Sequence, residues 1–208
     1  MYRRLYLALI NIKNKEVQIK IVYYGPGRGG KTTNLEYINQ KYRDQIKTEM
    51  VSLKTQDDRT LFFDFLPFDI GQIKGFKTTI QLYTVPGQAK YNATRRLVLR
   101  GVDGIVFVAD IQRELRKKNI ESLNQLYENL QIYNLDLFKM PLVMQYNKID
   151  LRRVQAQNSI LSSETMQKDL NTQLRAPAFE ACAIKGGNVI KTLKKIISMT
   201  MASIQSQL

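Results

Sequence analysis

Two clusters of residues in this chain can do chemistry. The first is Gly25, Pro26, Gly27, Arg28, Gly29, Gly30, Lys31 and Thr32, which satisfies the pattern G-x-x-x-x-G-K-[ST]. Glycines let a backbone curl so that successive N–H groups point inward at phosphate oxygens. A helix beginning at Lys31, with Thr33 in its first turn, adds partial positive charge at its N-terminus. Lys31 then reaches the β- and γ-phosphates, and the Thr32 hydroxyl is placed to coordinate Mg²⁺. Arg28 inside this loop either touches phosphate or points to solvent.

The second cluster is Asn147, Lys148, Ile149 and Asp150. A carboxylate at Asp150 can accept from both N1–H and N2–H₂ of guanine, whereas adenine offers neither donor there. A site built for that pair of hydrogen bonds discriminates by ~10⁴-fold or more. Asn147 would hold the purine N7 and the neighbouring loop, and the Lys148 stem would lie over the ring plane.

These residues need elements to carry them. Residues 17–24 are β-branched and aromatic and read as a strand, with a helix at 31–41 after the glycines. Residues 42–60 are polar and read as a loop. Residues 61–67 and 78–85 read as a hairpin with its turn near Gly71–Gly75, and 89–100 as a helix. Residues 104–110 and 141–146 are apolar strands of the buried parallel kind, the second delivering Asn147 to a carboxyl edge, where open α/β sheets bind ligands. Helices are expected at 119–133, 164–174 and after Gly187, and a short strand at 178–182. The alternation implies a three-layer α/β fold with a mostly parallel six-stranded sheet and one antiparallel edge hairpin. Residues 1–16 read as an N-terminal arm, an extra strand or a surface-packed segment, before a single domain at 17–208.

Composition narrows the chemistry. The 208 residues carry 32 Lys+Arg against 18 Asp+Glu, a formal charge of +14 that favours anionic partners. The basic groups are spread along the chain without interleaved aromatics, so a solvated surface is the plainer reading and no DNA is expected. His is absent, which excludes imidazole bases and His metal ligands. Cys182 is the single cysteine, so no internal disulfide forms, in keeping with a reducing, cytoplasmic setting. The start of the chain has too short an apolar run for a signal peptide, and neither a myristoylation nor a prenylation signal is present. No stable membrane anchor is expected, and the chain alone reads as a monomer.

With these residues in view, the sequence resembles the Ras-like small GTPases, in particular the bacterial MglA group, which sets cell polarity and drives gliding or twitching motility. The resemblance covers roughly residues 17–200 and rests on KIVYYGPGRGGKTTNLEYI (20–38), DRTLFFDFLP (58–67), GFKTTIQLYTVPGQ (75–88), GVDGIVFVAD (101–110) and QYNKID (145–150). It implies a switch that binds and hydrolyses GTP with Mg²⁺. Thr60 would be the switch threonine on Mg²⁺ and γ-phosphate, Gly87 the glycine that senses γ-phosphate through its amide, and Gln88 the residue that positions the attacking water. Arg59 would be an intrinsic arginine finger, worth ~10³–10⁵ in rate where correctly placed. The hairpin strand would shift register between nucleotide states. A roadblock-type activating protein resembling MglB would help seat Arg59 and Gln88, and effectors would belong to a motility or polarity system, with recruitment to a cell pole.

The chain departs from the wider Ras pattern at two places. Thr84 stands where most relatives carry the aspartate of D-x-x-G, and Asp64 on the neighbouring strand is the candidate substitute, an edge-facing carboxylate being the alternative. The Ser-Ala-Lys guanine loop is replaced by Cys182, Ala183 and Ile184; the Ala183 N–H can still serve guanine O6. A GTP-dependent scaffold with negligible hydrolysis and a ribosome-associated GTPase are the competing readings. The first is favoured if metal binding fails at Thr84, the second by the charge alone.

Overall fold

The computed structural model of this chain describes residues 9–11, 13–43, 50–54, 60–73, 75–87 and 91–206. Among them, eight strands form one sheet: β1 (Leu9–Asn11), β2 (Glu16–Tyr24), β3 (Val51–Lys54), β4 (Thr60–Ile73), β5 (Phe76–Thr84), β6 (Gly104–Asp110), β7 (Leu142–Asn147) and β8 (Ala178–Ala181). The α-helices are α1 (Lys31–Lys41), α2 (Asn92–Leu99), α3 (Arg116–Gln131), α4 (Ser163–Leu170) and α5 (Val189–Gln205). The strand order is β3-β4-β5-β2-β6-β7-β8, with β1 pairing on β2. β2 runs parallel to β5 and β6, β6 to β7, and β7 to β8. The β3–β4, β4–β5 and β1–β2 pairs are antiparallel.

The fold is the expected α/β three-layer arrangement, but the sheet has two strands more than the six expected. Leu9–Asn11 takes the strand alternative for the arm, and Val51–Lys54 forms inside a stretch that reads as loop. Both are short and held by backbone pairing to one neighbour, and Val51 is half-exposed, so neither leaves an apolar period to read. β4 also runs past Gly71 to Ile73, which makes the hairpin turn tighter than the glycine spacing suggests. Gly71 lies at a register irregularity between Asp69 and Gln72. No described helix is long and apolar enough to cross a membrane.

Period-two alternation divides the strands between two cores. Val22, Tyr24, Ile105, Phe107, Met144 and Tyr146 face one side, where Leu126 and Leu130 of α3 and Met166 and Leu170 of α4 cover them. Ile21, Tyr23, Val106, Val108 and Val143 face the other, beneath Leu35 and Ile38 of α1 and Leu193 and Ile196 of α5. Every residue of β6 and β7 is buried, because helices cover both faces. The parallel order brings the carboxyl ends of β2, β6 and β7 to one edge, where the loops after them carry the residues with chemistry.

Candidate nucleotide site

The glycine loop leaves the buried end of β2 and opens directly into α1, so the helix N-terminus faces the loop it caps. Gly30 has φ 98°, and a β-carbon there would collide with the Asn147 side chain, so only glycine fits. Lys31 is 6% exposed, and its Nζ donates to the carbonyls of Gly25 at 3.0 Å and Pro26 at 2.7 Å. Burial, reinforced by the nearby Arg95 charge and opposed by Asp64, draws the Lys31 ammonium down to about 7. An anion placed in the loop would reverse that shift. Thr33 sits half-buried behind Thr32 in the first turn of α1, and Arg28 is exposed at the loop's crest.

Asp64, the candidate substitute for the missing aspartate, is tied to both Thr32 and Thr84. Asp64, on β4, is fully buried, which removes the edge-facing alternative. Its Oδ2 accepts from the Thr32 hydroxyl at 2.6 Å and from the Thr84 hydroxyl at 2.6 Å. The Asp64 amide donates back to Thr84 Oγ1 at 2.9 Å, so Thr84 clamps the carboxylate in place. A buried carboxylate beside the loop threonine is an oxygen-only donor set of the kind Mg²⁺ takes. The residues present therefore fit the metal.

Gly87 lies so close to the loop that a β-carbon on it would fall on the backbone of Gly27. This puts its amide beside the phosphate cradle. Thr60 opens β4, while Arg59 and Gln88 lie outside the described residues.

The second cluster meets the first through Asn147. Its Nδ2 donates to the Gly29 carbonyl at 2.8 Å, and its Oδ1 accepts from the Ala183 amide at 2.9 Å. The Ala183 N–H expected to serve guanine O6 is thus engaged by Asn147 in this structure. The reason is local: the 3-10 turn Ala183–Lys185 brings that amide onto the end of β7. Lys148 has φ 75°, and its Nζ lies 2.6 Å from Asp110 Oδ2 at the end of β6. That buried carboxylate fixes the stem expected to cover the base. Asp150 follows in the 3-10 turn Ile149–Arg153, half-buried. Burial pushes the Cys182 thiol up, and its hydrogen bond to Asp150 adds to the rise, so the Cys182–Ile184 segment touches the Asp150 carboxyl.

Several residues of the site escape sequence reasoning. Asp110 is a lone carboxylate closing an apolar strand at the ligand edge, a signal that could have found it. Gln145, a polar residue inside a fully buried strand, is another: it exchanges hydrogen bonds with Asn34 of α1 at 2.8 and 3.0 Å. Arg95 gave no signal. It is 1% exposed on α2 and donates to Gln125 of α3 at 2.6 Å and toward the Tyr24 hydroxyl at 3.5 Å, tying α2 to the strand that feeds the loop.

Known proteins match this sequence. The Ras family model matches residues 20–202. The mutual gliding-motility protein MglA of Myxococcus xanthus is 47% identical over 199 residues, 96% of this chain and 98% of that protein. The Ras-related protein Rab-27B of Rattus norvegicus is 25% identical over 189 residues, 90% of this chain and 81% of its own. Rab7 of Cenchrus ciliaris is 27% identical over 183 residues, 86% and 80% of the two chains. The glycine loop and the Asn147–Asp150 segment on one sheet edge, together with a match along nearly the whole chain, place this protein in the Ras family of small GTPases.

Proposed function

We propose that this chain is a GTP-dependent molecular switch controlling cell polarity and gliding or twitching motility, the role implied by its likeness to the MglA group. The observation that carries the reading is Asn147, whose one side chain joins the phosphate loop at Gly29 to the guanine loop at Ala183. Residues 17–208 form the nucleotide-binding domain, with 1–16 as an arm. The cradle of Gly25, Gly27, Gly29, Gly30, Lys31, Thr32 and Thr33 binds the phosphates. Asn147, Lys148 and Asp150 read the base, and Ala183 lines it. Thr32 and Asp64 would hold Mg²⁺, with Thr60 joining them when GTP is present, and the ion would supply positive charge against the phosphates.

GTP contacts at Thr60 and Gly87 order the two switch segments, and loss of the γ-phosphate releases them. Gln88 orients the attacking water and Arg59 stabilises charge on the transferring phosphoryl group. A roadblock-type activator resembling MglB seats these two side chains, and motility or polarity effectors read the GTP state. The protein works in the cytoplasm and is recruited to a cell pole. What supports hydrolysis over a non-hydrolysing scaffold is the Thr32–Asp64–Thr84 cluster, which offers a metal carboxylate despite the threonine in the D-x-x-G position.

The test is calorimetry followed by single-turnover assays with and without a roadblock protein. Wild type is expected to bind GTP and GDP far more tightly than ATP. Asp150→Asn presents an amide donor in place of an acceptor, and so should lose GTP and gain xanthosine triphosphate. Gln88→Leu and Arg59→Ala are expected to bind GTP and hydrolyse it slowly, with little response to the activator. Equal affinity for the adenosine and guanosine triphosphates would overturn the reading, as would wild-type stimulated turnover in both variants.

A further inference from the structure

The glycine loop contains one charge that its architecture does not use. Arg28 stands between Gly27 and Gly29 with φ 62°, in the left-handed region that a β-carbon disfavours and glycine adopts freely. Its side chain is exposed, and among the described residues it makes no hydrogen bond, ion pair or ring contact. Neither packing nor backbone geometry therefore calls for an arginine here. Lys31 points inward onto the Gly25 and Pro26 carbonyls, which leaves Arg28 as the cation on the outer rim of the cradle. Arg95 already acts electrostatically on Lys31, with Asp64 as the opposing charge.

We propose that Arg28 is a nucleotide-retention residue, its guanidinium closing over the polyphosphate tail of the bound guanine nucleotide and slowing its release. The proposal rests on the guanine-nucleotide reading above and adds a side-chain contact to a cradle otherwise made of backbone amides and Lys31. A guanidinium suits the task because its planar fork of donors pairs two phosphate oxygens at once. From its place in the glycine loop a long arginine stem would be able to reach the oxygens that the loop amides would hold. Because the group is exposed, its attraction is screened by salt. Retention through Arg28 is thus strongest at low ionic strength.

The experiment follows release of a fluorescent GDP analogue from the Mg²⁺-loaded full chain, comparing wild type with Arg28→Gly, Arg28→Gln and Arg28→Lys. At low salt, Arg28→Gly and Arg28→Gln are expected to release nucleotide roughly fivefold faster than wild type, with the gap narrowing as salt rises. Arg28→Lys keeps the charge and is expected to restore most of the retention. Stripped of nucleotide, Arg28→Gly should melt no lower than wild type, since it relieves the backbone; a residue with a purely structural role would give the opposite sign. Wild-type release rates in both charge-removing variants at low salt overturn the proposal, as does a gap that salt leaves unchanged. If wild type itself retains no guanine nucleotide, the functional reading fails rather than this one.

Discussion

Thr84 stands in the D-x-x-G position, and a buried carboxylate, Asp64, lies beside it on the neighbouring strand. β4 and β5 are antiparallel neighbours, with Phe65 opposite Tyr83, so Asp64 on one faces Thr84 on the other. The threonine hydroxyl donates to Asp64 Oδ2 and accepts from the Asp64 amide, holding the carboxylate against the Thr32 hydroxyl. Asp64→Asn keeps the size of the side chain but removes the charge that a divalent ion requires. It is expected to weaken Mg²⁺-dependent retention of GDP by ~10–100-fold, while GDP affinity measured in chelator stays near wild type. An equal loss with and without Mg²⁺ would show that Asp64 supports the loop and not the metal.

At the scale of elements, short helices are held where they are needed by side chains from longer ones. The eight-residue α4 is capped by Ser162, which accepts from the Thr165 amide at 3.2 Å. It is tied to α3 by a two-pronged contact from Arg116 Nε and Nη2 to Asp169 at 2.7 and 2.8 Å. The hydrogen bond from Arg116 holds the Asp169 carboxyl below its usual range. A carboxylate with a depressed pKa in the folded state adds stability that is complete above the unfolded value, about 3.9, and disappears as pH falls through the lower folded value. Asp169→Asn is therefore expected to melt slightly below wild type at neutral pH, with the gap closing below about pH 4. Melting curves across that range check it, and a gap independent of pH would count against the ion pair. Such elements differ in how legible they were. Strands buried on both faces and helices with an apolar stripe announce themselves, and motif spacing alone singles out Lys31, Thr32 and Asp150 as candidates. β1 and β3 do not, because backbone pairing at a sheet edge asks little of side chains. Arg95 and Asn34 were invisible for a related reason: a buried polar residue is meaningful only through a partner distant in the sequence. The engaged Ala183 amide was likewise unreadable, since it depends on how a 3-10 turn meets the end of β7.

At the scale of the molecule, the glycine loop and the Asn147–Asp150 segment are fixed to each other by two residues of one strand. Gln145 and Asn147 are two apart on β7, so they face the same side of the sheet, toward α1 and α5. Asn147 reaches the loop at Gly29. Gln145 reaches it through Asn34, whose Nδ2 also donates to the Gly30 carbonyl at 2.8 Å. On its other side Gln145 donates to Thr192 of α5 at 3.2 Å, and Thr192 donates to the Asn188 carbonyl at 2.8 Å, at the start of that helix. The loop, the base-reading strand and the last helix thus share one buried polar network, in which every bond is stronger and every vacancy costlier than in water. Gln145→Leu leaves Asn34 Oδ1 without its donor, at a cost of ~1–3 kcal/mol, which lowers the melting temperature by several degrees at ~2–4 °C per kcal/mol. GDP and GTP should both be released faster, because Asn34 no longer steadies Gly30, while the preference for guanine over adenine survives in Asp150. Removing both partners, in Asn34→Leu with Gln145→Leu, is expected to recover part of the lost stability, since no group is then left half-paired. Thermal denaturation of the two single variants and the double variant closes that cycle. If the double variant falls by the sum of the single losses, the two amides are not acting as one link and the coupling between cradle and base pocket lies elsewhere.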